Sequence, residues 1–216
     1  PADTFTIRLE AIPLQTPVLR GNQGFSSKGP SPELASYYYS RPQLNVTAQI
    51  EIKDKSSKGK QASLLKRSGI GWFDHEWSSS LLMPGAVGWD WIGINLLNGE
   101  NIMAFRIRDQ SGKALFSEWD RRDQTGRVLE RHSNAIWEAV DQWSSPRSLA
   151  NYPKGFLIRV GNQEFRLQTL MQDQEVDARA STGGFYYEGA VEMSQNQVVI
   201  GRGYLELTGY SQAVRL

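Results

Sequence analysis

The chain of 216 residues contains no cysteine and only two histidines. The first absence excludes disulfides, thiolate nucleophiles and cysteine-ligated zinc, and it leaves the compartment open, because oxidising environments tolerate cysteine-free chains. Net charge is nearly absent too, with Lys+Arg 24 against Asp+Glu 23. Basic residues concentrate only in Lys53-Asp54-Lys55-Ser56-Ser57-Lys58-Gly59-Lys60, a Gly/Ser/Lys composition that reads as a solvated hairpin loop, so a nucleic-acid partner has no support. No apolar run reaches the roughly 18 residues of a membrane-spanning helix, and no basic-then-apolar leader opens the chain. Phosphate-cradling glycine motifs and the Gly-x-Ser-x-Gly nucleophile elbow are missing, and no cofactor is expected. Helical periodicity of useful length is also lacking.

What is present is alternation. Leu44, Val46, Ala48, Ile50 and Ile52 alternate with Asn45, Thr47, Gln49 and Glu51, the pattern of a half-buried strand. Residues 89–97 and 101–108 flank Asn98-Gly99, which favours the left-handed conformations of a tight hairpin. Further strands are expected near 114–120, 127–131, 135–141, 156–161, 164–170, 185–193 and 197–210, separated by Gly, Asn and Ser turns. About ten such strands in series suit a closed antiparallel barrel, which removes exposed edges. Residues 13–36 hold Pro13, Pro17, Gly21, Gly24, Gly29, Pro30 and Pro32 and read as a linker between two domains. Residues 141–155 form a second irregular connection suited to capping a barrel end.

The densest chemistry lies in Gly71-Trp72-Phe73-Asp74-His75-Glu76-Trp77 and Gly88-Trp89-Asp90-Trp91, which place four of the seven tryptophans and one histidine within 21 residues. Large aromatic rings beside acids and an imidazole describe either an apolar chamber with proton-handling groups or an aromatic β-core whose charges face water. Strand parity puts Trp72, Asp74 and Glu76 on one face and Phe73, His75 and Trp77 on the other. In the next strand Asp90 joins Ile92, Ile94 and Leu96, opposite Trp89 and Trp91. The apolar set marks the interior, so Asp90 ends an inner stripe where burial disfavours its charged form; a candidate general acid results, with His75 facing it across the barrel. A carboxylate satisfied by backbone N–H groups is the plainer alternative. Asp74, His75, Glu76 and Asp90 are potential metal ligands, but strand neighbours point to opposite faces, and no metal site is expected. His132 lies in a turn-like stretch and reads as solvent-facing.

Gly71-Trp72-Phe73-Asp74-His75-Glu76-Trp77, Gly88-Trp89-Asp90-Trp91, Asn98-Gly99, Met103-Ala104-Phe105-Arg106-Ile107-Arg108, Tyr152-Pro153, Tyr187-Glu188-Gly189-Ala190 and Gly203-Tyr204-Leu205-Glu206-Leu207-Thr208-Gly209-Tyr210 occur in that order. Together they resemble the carotenoid 1,2-hydratase and AttH-like family. The resemblance implies an all-β, lipocalin-like antiparallel barrel: residues 1–36 as the terminal strands of a truncated first lipocalin-like domain plus linker, and 37–216 as a complete second barrel. It further implies a missing upstream domain as partner and a periplasmic or secreted location. Characterised members add water to a carbon–carbon double bond of an acyclic carotenoid or a prenylated phenolic, and others steer cyclisations. The spelling Asp-His-Glu-Trp places this chain nearer the AttH-like branch. On this resemblance His75, Trp77 and Asp90 are the expected catalytic trio, with Trp72, Asp74, Glu76, Trp89, Trp91, Arg106, Tyr187 and Glu188 around a hydrophobic ligand. A tertiary cation formed by protonation would rest against Trp77, Trp89 or Trp91. Two other readings accompany this one: a carrier that binds a lipid or terpenoid without chemistry, and a structural role in which Tyr187-Glu188-Gly189 and Tyr204-Leu205-Glu206 hold the sheet.

Overall fold

The computed structural model describes residues 5–52, 63–79, 82–181 and 183–214, so the lysine-rich stretch 53–60 lies outside the described residues. All regular structure among them is antiparallel strand, and no helix is long and apolar enough to cross a membrane. The first sheet holds β1 (Phe5–Pro13), β2 (Val18–Leu19), β3 (Phe25–Ser27), β4 (Ala35–Ile52) and β5 (Ser63–Trp77). β4 is its spine: β2 and β3 pair with its first half, β1 with its second half, and β5 runs along its length.

The 13–36 segment, read from its prolines and glycines as linker, therefore carries two short strands, and the expected boundary at 36/37 falls inside β4. The breakers limit strand length without preventing pairing. Gly21 turns the chain between β2 and β3 with a φ of 61°, where a Cβ would lie 2.1 Å from the Phe25 carbonyl oxygen.

The second sheet has ten strands: β6 (Gly88–Leu96), β7 (Asn101–Arg108), β8 (Ala114–Arg122), β9 (Val128–His132), β10 (Ile136–Ala139), β13 (Gly155–Val160), β14 (Gln163–Thr169), β15 (Glu175–Asp177), β16 (Phe185–Gln195) and β17 (Val198–Leu207). The separate pair β11 (Gln142–Ser144) and β12 (Asn151–Pro153) lies in the irregular 141–155 connection. The β6–β7 hairpin turns at Asn98-Gly99, where Gly99 has a φ of 86°. The sheet curls until Trp119 of β8 stacks on Phe165 of β14 with ring centroids 5.1 Å apart.

The interior stripe of Ile92, Ile94 and Leu96 joins Trp119, Phe156, Leu167, Tyr187 and Leu205 in one buried core. Burial of each large apolar side chain contributes about 1.5–3 kcal/mol, which makes this core the main stabilising element. Tyr152, from β12, is fully buried beside Tyr187 and Tyr210, so the irregular connection covers one end of the curl.

The opposite face of β6 and β7 is covered as well. Phe105, Ile107 and Met103 form a second buried cluster with Tyr38 of β4, joined by Trp72, Trp89 and Trp91. The first sheet lies over the outside of the barrel sheet. A buried arginine ties them: Arg20 Nη1 contacts Asp120 Oδ1 at 2.7 Å, its Nε donates to Ser40 Oγ at 2.9 Å, and Nη2 reaches Asn101 at 3.3 Å.

Candidate functional site

Between the inner face of β4–β5 and the outer face of the barrel sheet is a cavity of about 1170 Å³. Strand register explains its walls. Glu188, Glu206, Trp91 and Phe105 stand side by side across β16, β17, β6 and β7, and residues opposite one another in antiparallel strands project to the same face. The facing sheet supplies Tyr38 opposite Glu76 and Ser40 opposite Asp74. Trp72 meets Trp91 edge-on at 6.1 Å, directly over Gly93. A Cβ on Gly93 would lie 2.5 Å from the Trp91 ring and 2.8 Å from that of Trp72, so the absent side chain makes room for both indoles.

Polar groups in the cavity are linked. The Trp91 indole N–H donates to the Tyr38 hydroxyl at 3.0 Å, and that hydroxyl donates to Asp74 Oδ2 at 2.8 Å. The Trp72 N–H donates to Asp74 Oδ1 at 2.8 Å. Burial nevertheless raises the Asp74 pKa, outweighing the hydrogen bonds and the Arg20 charge that lower it. The Tyr38 phenol is raised first by burial and then by the Asp74 charge. Lys28 Nζ pairs with Glu76 at 2.7 Å and lies 4.1 Å from the Phe105 ring centroid.

Glu206 is the group best suited to proton transfer. Burial pushes its carboxyl up to about 7, a hydrogen bond with Trp89 opposes the shift, and the charges of Glu188, Glu76 and Asp74 add to it. A carboxyl half protonated near neutrality is poised to give and retrieve a proton.

The parity of the Trp-rich strands holds: Trp72, Asp74 and Glu76 face the cavity, and Phe73, His75 and Trp77 face away. Trp89, Trp91 and Glu188 also line it. The expected trio is not brought together. His75 is exposed on the outer face of β5, between Tyr39 at 5.5 Å and Trp77 at 5.1 Å, and Trp77 is half-exposed against Tyr37. Asp90 is on the other side of the barrel sheet, fully buried, with Arg106 Nε at 2.7 Å, Arg108 Nε at 3.0 Å and the Tyr210 hydroxyl at 3.1 Å. Its charge is compensated by two guanidiniums, the arrangement of a structural ion cluster rather than of a proton donor to a chamber. Arg106 belongs to that interior cluster, over the Trp137 and Phe156 rings, and Tyr187 packs in the core and donates to the Met171 carbonyl at 3.0 Å. Neither lines the cavity.

The correction has one cause. An apolar stripe marks a buried face, but β6 and β7 are buried on both faces; the face with the stripe is filled, and the cavity lies behind the other. Lys28, Tyr38, Tyr204 and Glu206 were missed as site residues. The signal for the last two was available in the alternation of Tyr204 and Glu206 against Leu205 and Leu207. Glu188 and Glu206 face the cavity, while their neighbours Tyr187 and Leu205 are buried in the barrel core. Among the described residues, no three His, Asp or Glu side chains gather as a metal site.

A Nitrosomonas europaea protein solved under the designation AttH is similar to the whole of this chain, with 39% identity, a TM-score of 0.88, and 100% of this chain and 64% of that one covered. Kievitone hydratase from Nectria haematococca is similar at 15% identity and a TM-score of 0.69, covering 98% of this chain and 63% of its own. CghA follows at 11% identity and 0.51, covering 99% and 64%. The last two likenesses reach the fold alone. The chain spans less than two thirds of the length of each of these proteins. No curated protein matches it by sequence. The AttH-like family model matches residues 1–210, over the same all-β, lipocalin-like architecture described above; the chain belongs to the AttH-like family.

Proposed function

We propose that this chain binds a hydrophobic small molecule, a terpenoid, lipid or prenylated compound, in the tryptophan-walled cavity, and that Glu206 assists hydration or isomerisation of its carbon–carbon double bond. The observation that carries the reading is Glu206 itself: a carboxyl with a pKa of about 7, facing an aromatic cavity. Its proton passes to one alkene carbon, leaving a cation on the other. Water then forms the new carbon–oxygen bond and returns a proton to the Glu206 carboxylate; loss of a neighbouring C–H proton instead gives the isomer. Trp72, Trp89 and Trp91 offer negative ring faces to the cation. The name of the hydratase among the structural neighbours supplies the reaction class to test. The upstream lipocalin-like domain and the periplasmic or secreted location belong to the same proposal, on the family resemblance.

The test is incubation with a panel of prenylated alkenes in ¹⁸O-labelled water, read by mass spectrometry. A product heavier by one labelled water, or an isomer of unchanged mass, is expected from the wild type and absent with Glu206→Gln. Full turnover by Glu206→Gln would overturn the assignment of the acid. A ligand recovered unchanged from every incubation favours the second reading, a carrier without chemistry, which the predominantly apolar cavity walls support.

A further inference from the structure

We propose that the cavity selects hydrophobic ligands that carry a positive charge, of the alkylammonium class, over neutral and anionic ligands of the same chain length. The inference rests on reading the cavity as a site for a hydrophobic molecule, and it adds the sign of the head group.

Two independent observations carry it. The first is the balance of charge on the walls. Asp74, Glu76, Glu188 and Glu206 line the cavity together with Lys28 and Arg202. Both cations are engaged: Lys28 is 2.7 Å from Glu76, and Arg202 donates from Nε and Nη2 to Glu192 at 3.1 and 2.9 Å. Among the described residues, Asp74, Glu188 and Glu206 make no ion pair. Asp74 is held by neutral donors, Tyr38 and Trp72. Arg20 acts on Asp74 from behind the wall, whereas neither Lys28 nor Arg202 is paired with Glu188 or Glu206. Above the Glu206 pKa of about 7, this end of the wall therefore carries negative charge that the lining cations do not neutralise.

The second observation is that the fold already seats a cation on these rings. Lys28 Nζ lies 4.1 Å from the Phe105 centroid and 4.9 Å from that of Tyr38, with the lysine buried. Such placement over aromatic faces is favourable when the cation is desolvated. Trp91 continues the same wall beside Phe105, with Glu206 beyond it. An ammonium further along the wall would meet an indole face and a carboxylate together. It would also reproduce, as a stable species, the positive charge of the cation formed on alkene protonation, and sites that stabilise such a charge bind its mimics more tightly than the neutral substrate.

The experiment is calorimetric titration of this chain at pH 8 with decyltrimethylammonium, decanol and decanoate, each below its micelle concentration. Decyltrimethylammonium is expected to bind about tenfold more tightly than decanol, with decanoate the weakest. In a Glu188→Gln/Glu206→Gln double variant the two should fall to within about twofold, while decanol binding is retained and reports an intact cavity. Decanol binding as tightly as the ammonium to the wild type would overturn the charge selection and leave the hydrophobic site standing. Survival of the full preference in the double variant would also overturn it. Binding of none of the three would defeat the reading of the cavity together with the inference.

Discussion

Glu188 and Glu206 stand directly opposite each other on β16 and β17, on the face that lines the cavity. Two carboxyls in that register resist being charged together. The pair is half-buried on a wall that continues through Trp91 and Phe105, and the Glu188 charge adds to the rise that burial gives the Glu206 pKa.

This placement gives stability a pH dependence. Glu206 titrates at about 7 in the folded chain against an ordinary 4.5. Between those values the unfolded chain binds fewer protons, so folding stability falls as pH rises from about 4.5 to about 7 and changes little from this group beyond. The loss is at most about 3 kcal/mol. Asp74, raised by burial, contributes with the same sign. Urea unfolding should find Glu206→Gln more stable than wild type at pH 8 and indistinguishable at pH 4; equal midpoints at both would contradict the assignment.

Asp90 and His75 separate in their expected effects. Asp90→Asn leaves Arg106 and Arg108 without their carboxylate in the barrel interior and should cost about 3 kcal/mol or more of stability. His75→Ala, on an exposed face, should change stability by no more than about 0.5 kcal/mol. Decanol binding in the cavity should be unaltered by His75→Ala. Chemical denaturation and calorimetry on the two variants check both statements.

Gly93→Ala tests how the indoles are packed. Its Cβ would fall within 3 Å of both Trp91 and Trp72, where overpacking costs about 1–3 kcal/mol. Displacing either ring breaks the hydrogen bonds to Tyr38 or Asp74. A lowered unfolding midpoint with shifted tryptophan fluorescence is expected.

Arg20→Ala tests the link between the sheets. Arg20 is fully buried against Asp120, and Arg122 at 2.9 Å remains to share that carboxylate. A loss of about 3 kcal/mol is expected. Proteolysis confined to the β1–β5 sheet would identify it as the part released.

Much of this was legible locally. The alternation of Asp90, Ile92, Ile94 and Leu96 identified the filled side of β6, and Asn98-Gly99 located its hairpin. Parity sorted Trp72, Asp74 and Glu76 from Phe73, His75 and Trp77, because a strand's side chains alternate whatever lies around them. Lys28 and Arg20 were hidden in a segment rich in glycine and proline, where composition describes chain flexibility and carries no information about tertiary partners.

The order of residues thus sufficed for the all-β class, the strand faces and the family, each a property of short-range pattern. It did not reveal that a second sheet covers the outside of the barrel, so the cavity was sought on the wrong face of β6. The proton affinity of Glu206 is likewise set by burial and by Glu188, Glu76 and Asp74, groups on two strands of two sheets. Charge repulsion and burial act through space, and only the packed sheets bring those groups together.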